Sequence, residues 1–271
     1  MPISSKAQKL AEVTLNEWRH WQAPFHSQPK IIKLLEGGLT NTSYLIESGS
    51  QRAVLRINNP QAAMLGVNRH TEITVLETLQ STKLVPTTYF ADSNYLVSEY
   101  IDGDVLDDNK VSDHAIKKQI EQGIEAIQNQ KLVDVEVRNY EAYLHEYCKQ
   151  VSTSYLDKTT TQSLLQIARD IDSQDWQPVL CHHDLIPENM IMSSRGLIII
   201  DWEYASLGHP QFDYLRLTNN HDIRDIPANM CNLEALQAIL IQLWYAILYP
   251  ELRETAQHKL IKIIETVQAP P

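Results

Sequence analysis

Glycine, cysteine and phenylalanine are scarce in this 271-residue chain, with eight, three and three of each. The cysteines, Cys148, Cys181 and Cys231, are scattered and lack metal-ligand spacing. That excludes a disulfide scaffold and a zinc module, and points to reduced thiols in a cytoplasmic protein. An excess of basic residues is also missing. Lys and Arg number 23 against 34 Asp and Glu, for a net charge of −11, so a nucleic-acid partner is not expected. No apolar run approaches the roughly eighteen residues of a membrane span. Met1 to Leu10 lacks the apolar core of a signal peptide. Internal repeats, low-complexity tracts and flexible linkers are likewise absent. What remains is ordinary globular composition, 43% hydrophobic and 21% charged, enough for one large domain or two lobes.

The element pattern changes along the chain. After an N-terminal helix starting at Ser4-Ser5 and ending near Trp18 to Trp21, strands are expected at 31–35, 42–46 and 52–57, separated by Gly37-Gly38 and Gly49-Ser50. A helix follows at 69–79, where Ile73, Leu76 and Leu79 recur at helical spacing, then strands at 87–91 and 95–99. From there helices dominate: 112–130, 139–151, 161–171, 211–217, 233–248 and 252–267. Strands first and helices later is an α+β pattern. Boundaries are expected at 1–100 for an antiparallel-sheet lobe and 101–271 for a larger helical lobe.

Two short apolar runs in the second half each deliver a carboxylate. Val179-Leu180-Cys181 leads through His182-His183 to Asp184, with Asn189 five positions on, and Leu197 to Ile200 leads to Asp201. Strand ends and loops are where functional side chains concentrate. Transfer of a phosphoryl group from ATP needs a carboxylate to orient and deprotonate the attacking hydroxyl, and oxygen ligands for the Mg²⁺ that spans the phosphates. Asp184 suits the first task; Asn189 and Asp201 suit the second. A metal site of His182 and His183 is a poor rival, because adjacent strand residues point to opposite faces.

The His-x-Asp-x-x-x-x-Asn spacing, with an Asp after a strand a dozen residues later, resembles the catalytic and metal-binding loops of the protein-kinase-like fold, in its aminoglycoside phosphotransferase and choline kinase branch. The resemblance covers about Lys30 to Leu217. It implies a two-lobed α+β fold with a small antiparallel-sheet N-lobe and a helical C-lobe. By the same resemblance Gly37, Gly38, Leu39, Thr40 and Asn41 form the phosphate-covering loop. Arg56 stands where protein kinases carry the strand lysine, and Glu72 is its helix partner, with Glu77 the competing choice. Glu99 and Ile101 fall at the hinge that binds adenine. The segment lacks the Lys two residues after the catalytic Asp, and no Ala-Pro-Glu follows, so protein phosphorylation is not expected. Asp201-Trp202-Glu203-Tyr204-Ala205 is especially similar to bacterial thiamine kinases, and Gly-Gly-Leu-Thr-Asn resembles thiamine and choline kinases alike.

The expected activity is therefore ATP-dependent phosphorylation of a small cationic alcohol: thiamine first, choline or ethanolamine second, an aminoglycoside third. A catalytically idle ATP-binding pseudokinase is the alternative of another class. Trp202, Glu203, Tyr204, Trp244 and Tyr245, beside Asp184, are the expected acceptor contacts, because a quaternary or aromatic cation favours aromatic faces and carboxylates. Packing is the competing role for Trp244 and Tyr245.

Overall fold

A computed structural model describes residues 5–35, 40–151, 155–221 and 230–269. Helix α1 (Ser5–Thr14) runs into a 3₁₀ turn at Leu15–His20. A five-stranded antiparallel sheet follows: β1 (Lys30–Leu35), β2 (Thr42–Ser48), β3 (Gln51–Ile57), β4 (Thr88–Ala91) and β5 (Tyr95–Glu99), in the order β1-β2-β3-β5-β4. Strand alternation sorts β3 cleanly. Ala53, Leu55 and Ile57 are buried with Tyr44, Ile46, Val97, Trp21 and Phe25 on one face. Val54 and Arg56 therefore point to the other face. Between β3 and β4 lies α2 (Arg69–Leu79), at the expected bounds; the Asn68 side chain accepts from the His70 and Thr71 amides and starts it.

After Tyr100–Asp102 the chain enters the larger part: β6 (Gly103–Val105), α3 (Asp108–Val111), α4 (His114–Gln128), α5 (Tyr140–Gln150), α6 (Lys158–Asp172), β7 (Val179–Cys181), β8 (Met190–Ser193), β9 (Gly196–Ile199), β10 (Ser206–Gly208), α7 (Phe212–His221), α8 (Cys231–Leu248) and α9 (Arg253–Gln268). Strands β6, β8 and β9 form a small antiparallel sheet, and β10 pairs with β7. The expected helices are present with ends shifted by up to four residues; the run expected at 112–130 is α4, and the short α3 before it was not expected. Strands β6, β8 and β10 were not expected. They are three or four residues long, too short to display an alternating pattern, and tertiary pairing alone defines them.

Two apolar clusters fill this part. One joins α5, α6, α8 and α9; the other joins α4, β7, β8 and β9 to Val75, Leu76 and Leu79 of α2. Helix α2 therefore packs across from the sheet lobe into the helical lobe. The expectation that no segment is long and apolar enough to span a bilayer is corrected by α8, which has the length and a mean hydropathy of 1.3. Its Leu233, Leu236, Ile239 and Leu243 pack in the first cluster. Four isolated polar residues, Asn232, Glu234, Gln237 and Gln242, break the apolar run in the sequence, and the mean hydropathy stays positive because the other positions are mostly strongly apolar.

Candidate active site

Asp184 sits at the end of a backbone kink. His183 adopts φ +65°, a left-handed conformation that non-glycine residues take only when neighbours hold them there. The neighbour is Asp213, at the start of α7. Its buried carboxylate accepts the His182 amide at 2.7 Å and the His183 amide at 3.0 Å. The His182 ring is fully buried, with Nε2 2.9 Å from the Ile200 carbonyl and its face against Trp202. It thus ties the loop after β7 to the end of β9. His183 lies between Ser206 Oγ and Tyr140 Oη, each 3.3 Å from a ring nitrogen. Gly208 makes room for it: a Cβ there would meet His183 Nε2 at 2.6 Å. Burial, followed by the charge of Arg138, holds the His183 imidazole well below its ordinary range, so it is neutral at pH 7.

Asp201 follows β9, also left-handed at φ +64°. Asn189 Nδ2 donates to the Asp184 carbonyl at 2.9 Å, which leaves its amide oxygen as the acceptor to offer a cation. The Arg56 guanidinium, on the face of β3 away from the sheet core, grips Glu72 at 2.7 and 2.8 Å and lies 3.7 Å from Asp201. Burial lowers Arg56, but Glu72, Asp201 and Glu203 outweigh it and the group stays charged. Burial raises Glu72, but Arg56 and Arg69 outweigh that and hold it ionised. The Arg56–Glu72 pair is as expected, and Glu77 has no part in it.

Arg69, one turn before Glu72 on α2, was not singled out from sequence. It reaches Glu72 at 2.7 Å, Glu203 at 3.0 Å and Asn41 Oδ1 at 2.7 Å. Glu203 also accepts from Thr40 Oγ1 at 2.5 Å and Asn41 Nδ2 at 2.7 Å. Both its oxygens are thus occupied by donors from the sheet lobe, and it is 3% exposed. Glu203 ties Thr40-Asn41 to the Asp201 loop and has no oxygen to spare for an acceptor cation. Gly37, Gly38 and Leu39 lie outside the described residues.

The expected acceptor contacts divide. Trp202 borders the cavity, but its side chain is a core group, 1% exposed, with its indole N–H given to the Ile199 carbonyl. Tyr204, Trp244 and Tyr245 line the cavity as well. Trp244 donates to Tyr204 Oη at 3.1 Å and packs edge-on against Tyr245, which is 39% exposed.

A cavity of about 800 Å³ runs through these groups. Its lining includes an apolar slot of Leu35, Val54, Leu96, Ile191 and Ile200 with the connector residues Glu99 and Ile101, and an aromatic set of Tyr143, Tyr147, Tyr204, Trp244 and Tyr245. Asp184, Asn189, Asp201 and Arg56 line the same space. Carboxylates crowd its centre: burial and then Glu203 push Asp201 up to about 8. Among the described residues no three His, Cys, Asp or Glu gather as a metal-holding group. A crowded carboxylate with one nearby amide oxygen fits Mg²⁺, which takes one or two protein ligands and completes its shell with phosphate and water.

Comparison with known proteins agrees with this geometry. The family model described as choline/ethanolamine kinase matches residues 32–258. Protein LicA of Haemophilus influenzae is 26% identical over 198 residues, covering 65% of this chain and 54% of that protein, so the match reaches little more than half that relative's length. Ethanolamine kinase 1 of Mus musculus is 22% identical over 227 residues, covering 76% of this chain and 62% of that protein. Among solved structures, the choline kinase LicA from Streptococcus pneumoniae superposes with a TM-score of 0.73 at 19% identity, covering 95% of this chain and 98% of that one. The aminoglycoside phosphotransferase APH(4)-Ia superposes with a TM-score of 0.66 at 14% identity, covering 97% and 100%. With the family model spanning most of the chain on a two-lobed kinase-like fold, this protein belongs to the choline/ethanolamine kinase family.

Proposed function

We propose that the protein transfers the γ-phosphoryl group of ATP to the hydroxyl of a small amino alcohol of the choline or ethanolamine type. The observation that carries this reading is one continuous cavity holding an apolar slot, a ring of aromatic side chains and Asp184 together. Adenine suits the slot, and aromatic faces suit an organic cation. Asp184 orients the hydroxyl and takes its proton. Arg56, held charged by Glu72, faces the phosphates. Asp201 and Asn189 would hold Mg²⁺, which when bound neutralises phosphate charge. The order of acceptors expected from sequence is reversed: the family model and the LicA and ethanolamine kinase relatives support choline or ethanolamine ahead of thiamine.

The test is ADP production with choline, ethanolamine, thiamine and hygromycin B, each with Mg·ATP. Turnover with choline or ethanolamine at least tenfold above the others supports the reading. Turnover confined to thiamine or hygromycin B overturns the acceptor class, and ATP binding without turnover on any of them favours the idle, pseudokinase reading.

A further inference from the structure

We infer that Arg216 is a further catalytic residue, the cation that contacts the phosphoryl group as it passes from ATP to the acceptor hydroxyl. The inference rests on the phosphotransferase reading above.

The cavity is lined by four arginines or by groups they grip, and their commitments differ. Arg56 is spent on Glu72 and reaches Asp201. Arg69 is spent on Glu72, Glu203 and Asn41. Arg138 lies 4.1 Å over the Tyr143 ring and donates to the Tyr204 carbonyl at 2.7 Å. Arg216 lines the cavity with its side chain 26% exposed, and among the described residues its partner is Asp184 Oδ1, at the loose distance of 3.5 Å. It is the least committed of the four, and it lies beside the group that would take the acceptor's proton.

Its backbone is placed by α7. Arg216 lies one turn after Asp213 on the same face of α7. Asp213 fixes the amides of His182 and His183, so one helix face tracks the whole catalytic loop. A guanidinium there is permanently charged and can fork two oxygens of a phosphoryl group.

In the transfer, the bond from the acceptor oxygen to the γ-phosphorus forms as the bond from that phosphorus to the β–γ bridging oxygen breaks. The hydroxyl proton passes to Asp184 and ADP leaves with the electron pair. Negative charge spreads over the three equatorial oxygens. On the acceptor side of that group the described cations are Arg216 and the already capped Arg138. Arg216 turns from Asp184 to the phosphoryl oxygens as charge develops on them.

The test compares wild type with R216Q and R216K. R216Q is expected to lower kcat on the order of a hundredfold, the loss typical of one preorganised donor to a developing charge, with the KM for ATP changed less than threefold. R216K keeps the charge without the fork and should fall between. Mg·ADP with aluminium fluoride and acceptor should trap a slowly dissociating complex on wild type and not on R216Q, while Mg·ADP alone binds both alike. A kcat for R216Q within threefold of wild type overturns the inference. So does a loss that disappears at higher pH, which would place the effect on Asp184 alone. Slow ATP hydrolysis to water separates the two levels of the argument. If wild type hydrolyses ATP but phosphorylates none of the four acceptors, the acceptor reading fails and R216Q must still depress hydrolysis. If wild type does neither, both readings fail.

Discussion

The centre of the site holds four carboxylates, Glu72, Asp184, Asp201 and Glu203, and their fates are set by what each can reach. Glu72 and Glu203 are matched by arginines and amides; Asp184 and Asp201 face the cavity. Asp184→Asn keeps the shape and loses the base. It is expected to lower kcat a hundredfold or more while calorimetry shows Mg·ATP bound as tightly as in wild type. Retention of more than a tenth of the activity would remove Asp184 from the base role. Glu203 was read in sequence as a contact for the acceptor's cation. Its saturation by Thr40, Asn41 and Arg69 moves the expected effect to the nucleotide side. Glu203→Gln replaces one acceptor with a donor that faces other donors, at a cost of about 1–3 kcal/mol for a buried charged network. Steady-state kinetics should show KM for ATP raised about tenfold and KM for the acceptor nearly unchanged; the reverse result would restore the sequence reading.

At the scale of elements, the loop that carries Asp184 is held by contacts that come from far along the chain. Asp213 of α7 clamps its backbone, Tyr140 of α5 and Ser206 of β10 enclose His183, and Gly208 leaves the space. The cost of that packing is a neutral imidazole. Well above pH 6.5, the ordinary histidine value, the group is neutral in both the folded and the unfolded chain. As pH falls below 6.5 the unfolded chain gains a proton that the folded chain refuses, so stability is lost toward acid, by at most about 1.4 kcal/mol per pH unit for one group. His183→Asn keeps a residue that tolerates the left-handed conformation and removes the titration. Urea midpoints at pH 7.5 and pH 5.5 should therefore differ less in the variant than in wild type. An equal difference in both would show that other groups carry the acid sensitivity.

At the scale of the molecule, the two lobes meet through charge. Arg56 and Arg69 come from the sheet lobe, while Asp201 and Glu203 come from the loop after β9. This arrangement favours binding over stability, since burial and like charges raise the free energy of an ionised Asp201. Asp201→Asn is expected to raise the melting temperature of the free protein and to abolish the rise that wild type shows on adding Mg·ATP. At a hundred times Kd that rise corresponds to about 2.7 kcal/mol. A variant that is still stabilised by Mg·ATP would exclude Asp201 as a metal ligand.

Much of this protein is decided by local sequence. Helix α2 was legible to the residue because the helical spacing of Ile73, Leu76 and Leu79 is a local signal. Asp184, Asn189 and Asp201 stood out because their spacing reflects one loop and one strand end. The Arg56–Glu72 pair was implied by the resemblance to the kinase-like fold, and the structure forms it. Other features depend on groups brought together from distant parts of the chain. The Trp202 side chain is a core group, and Glu203 is consumed by Thr40, Asn41 and Arg69, more than 130 residues earlier. Strands β6, β8 and β10 exist only through their partners. A residue's type and spacing show what chemistry it can perform, but which hydrogen bonds and charges are already taken depends on contacts made across the fold, and those settle which carboxylates and which arginines remain to meet a substrate.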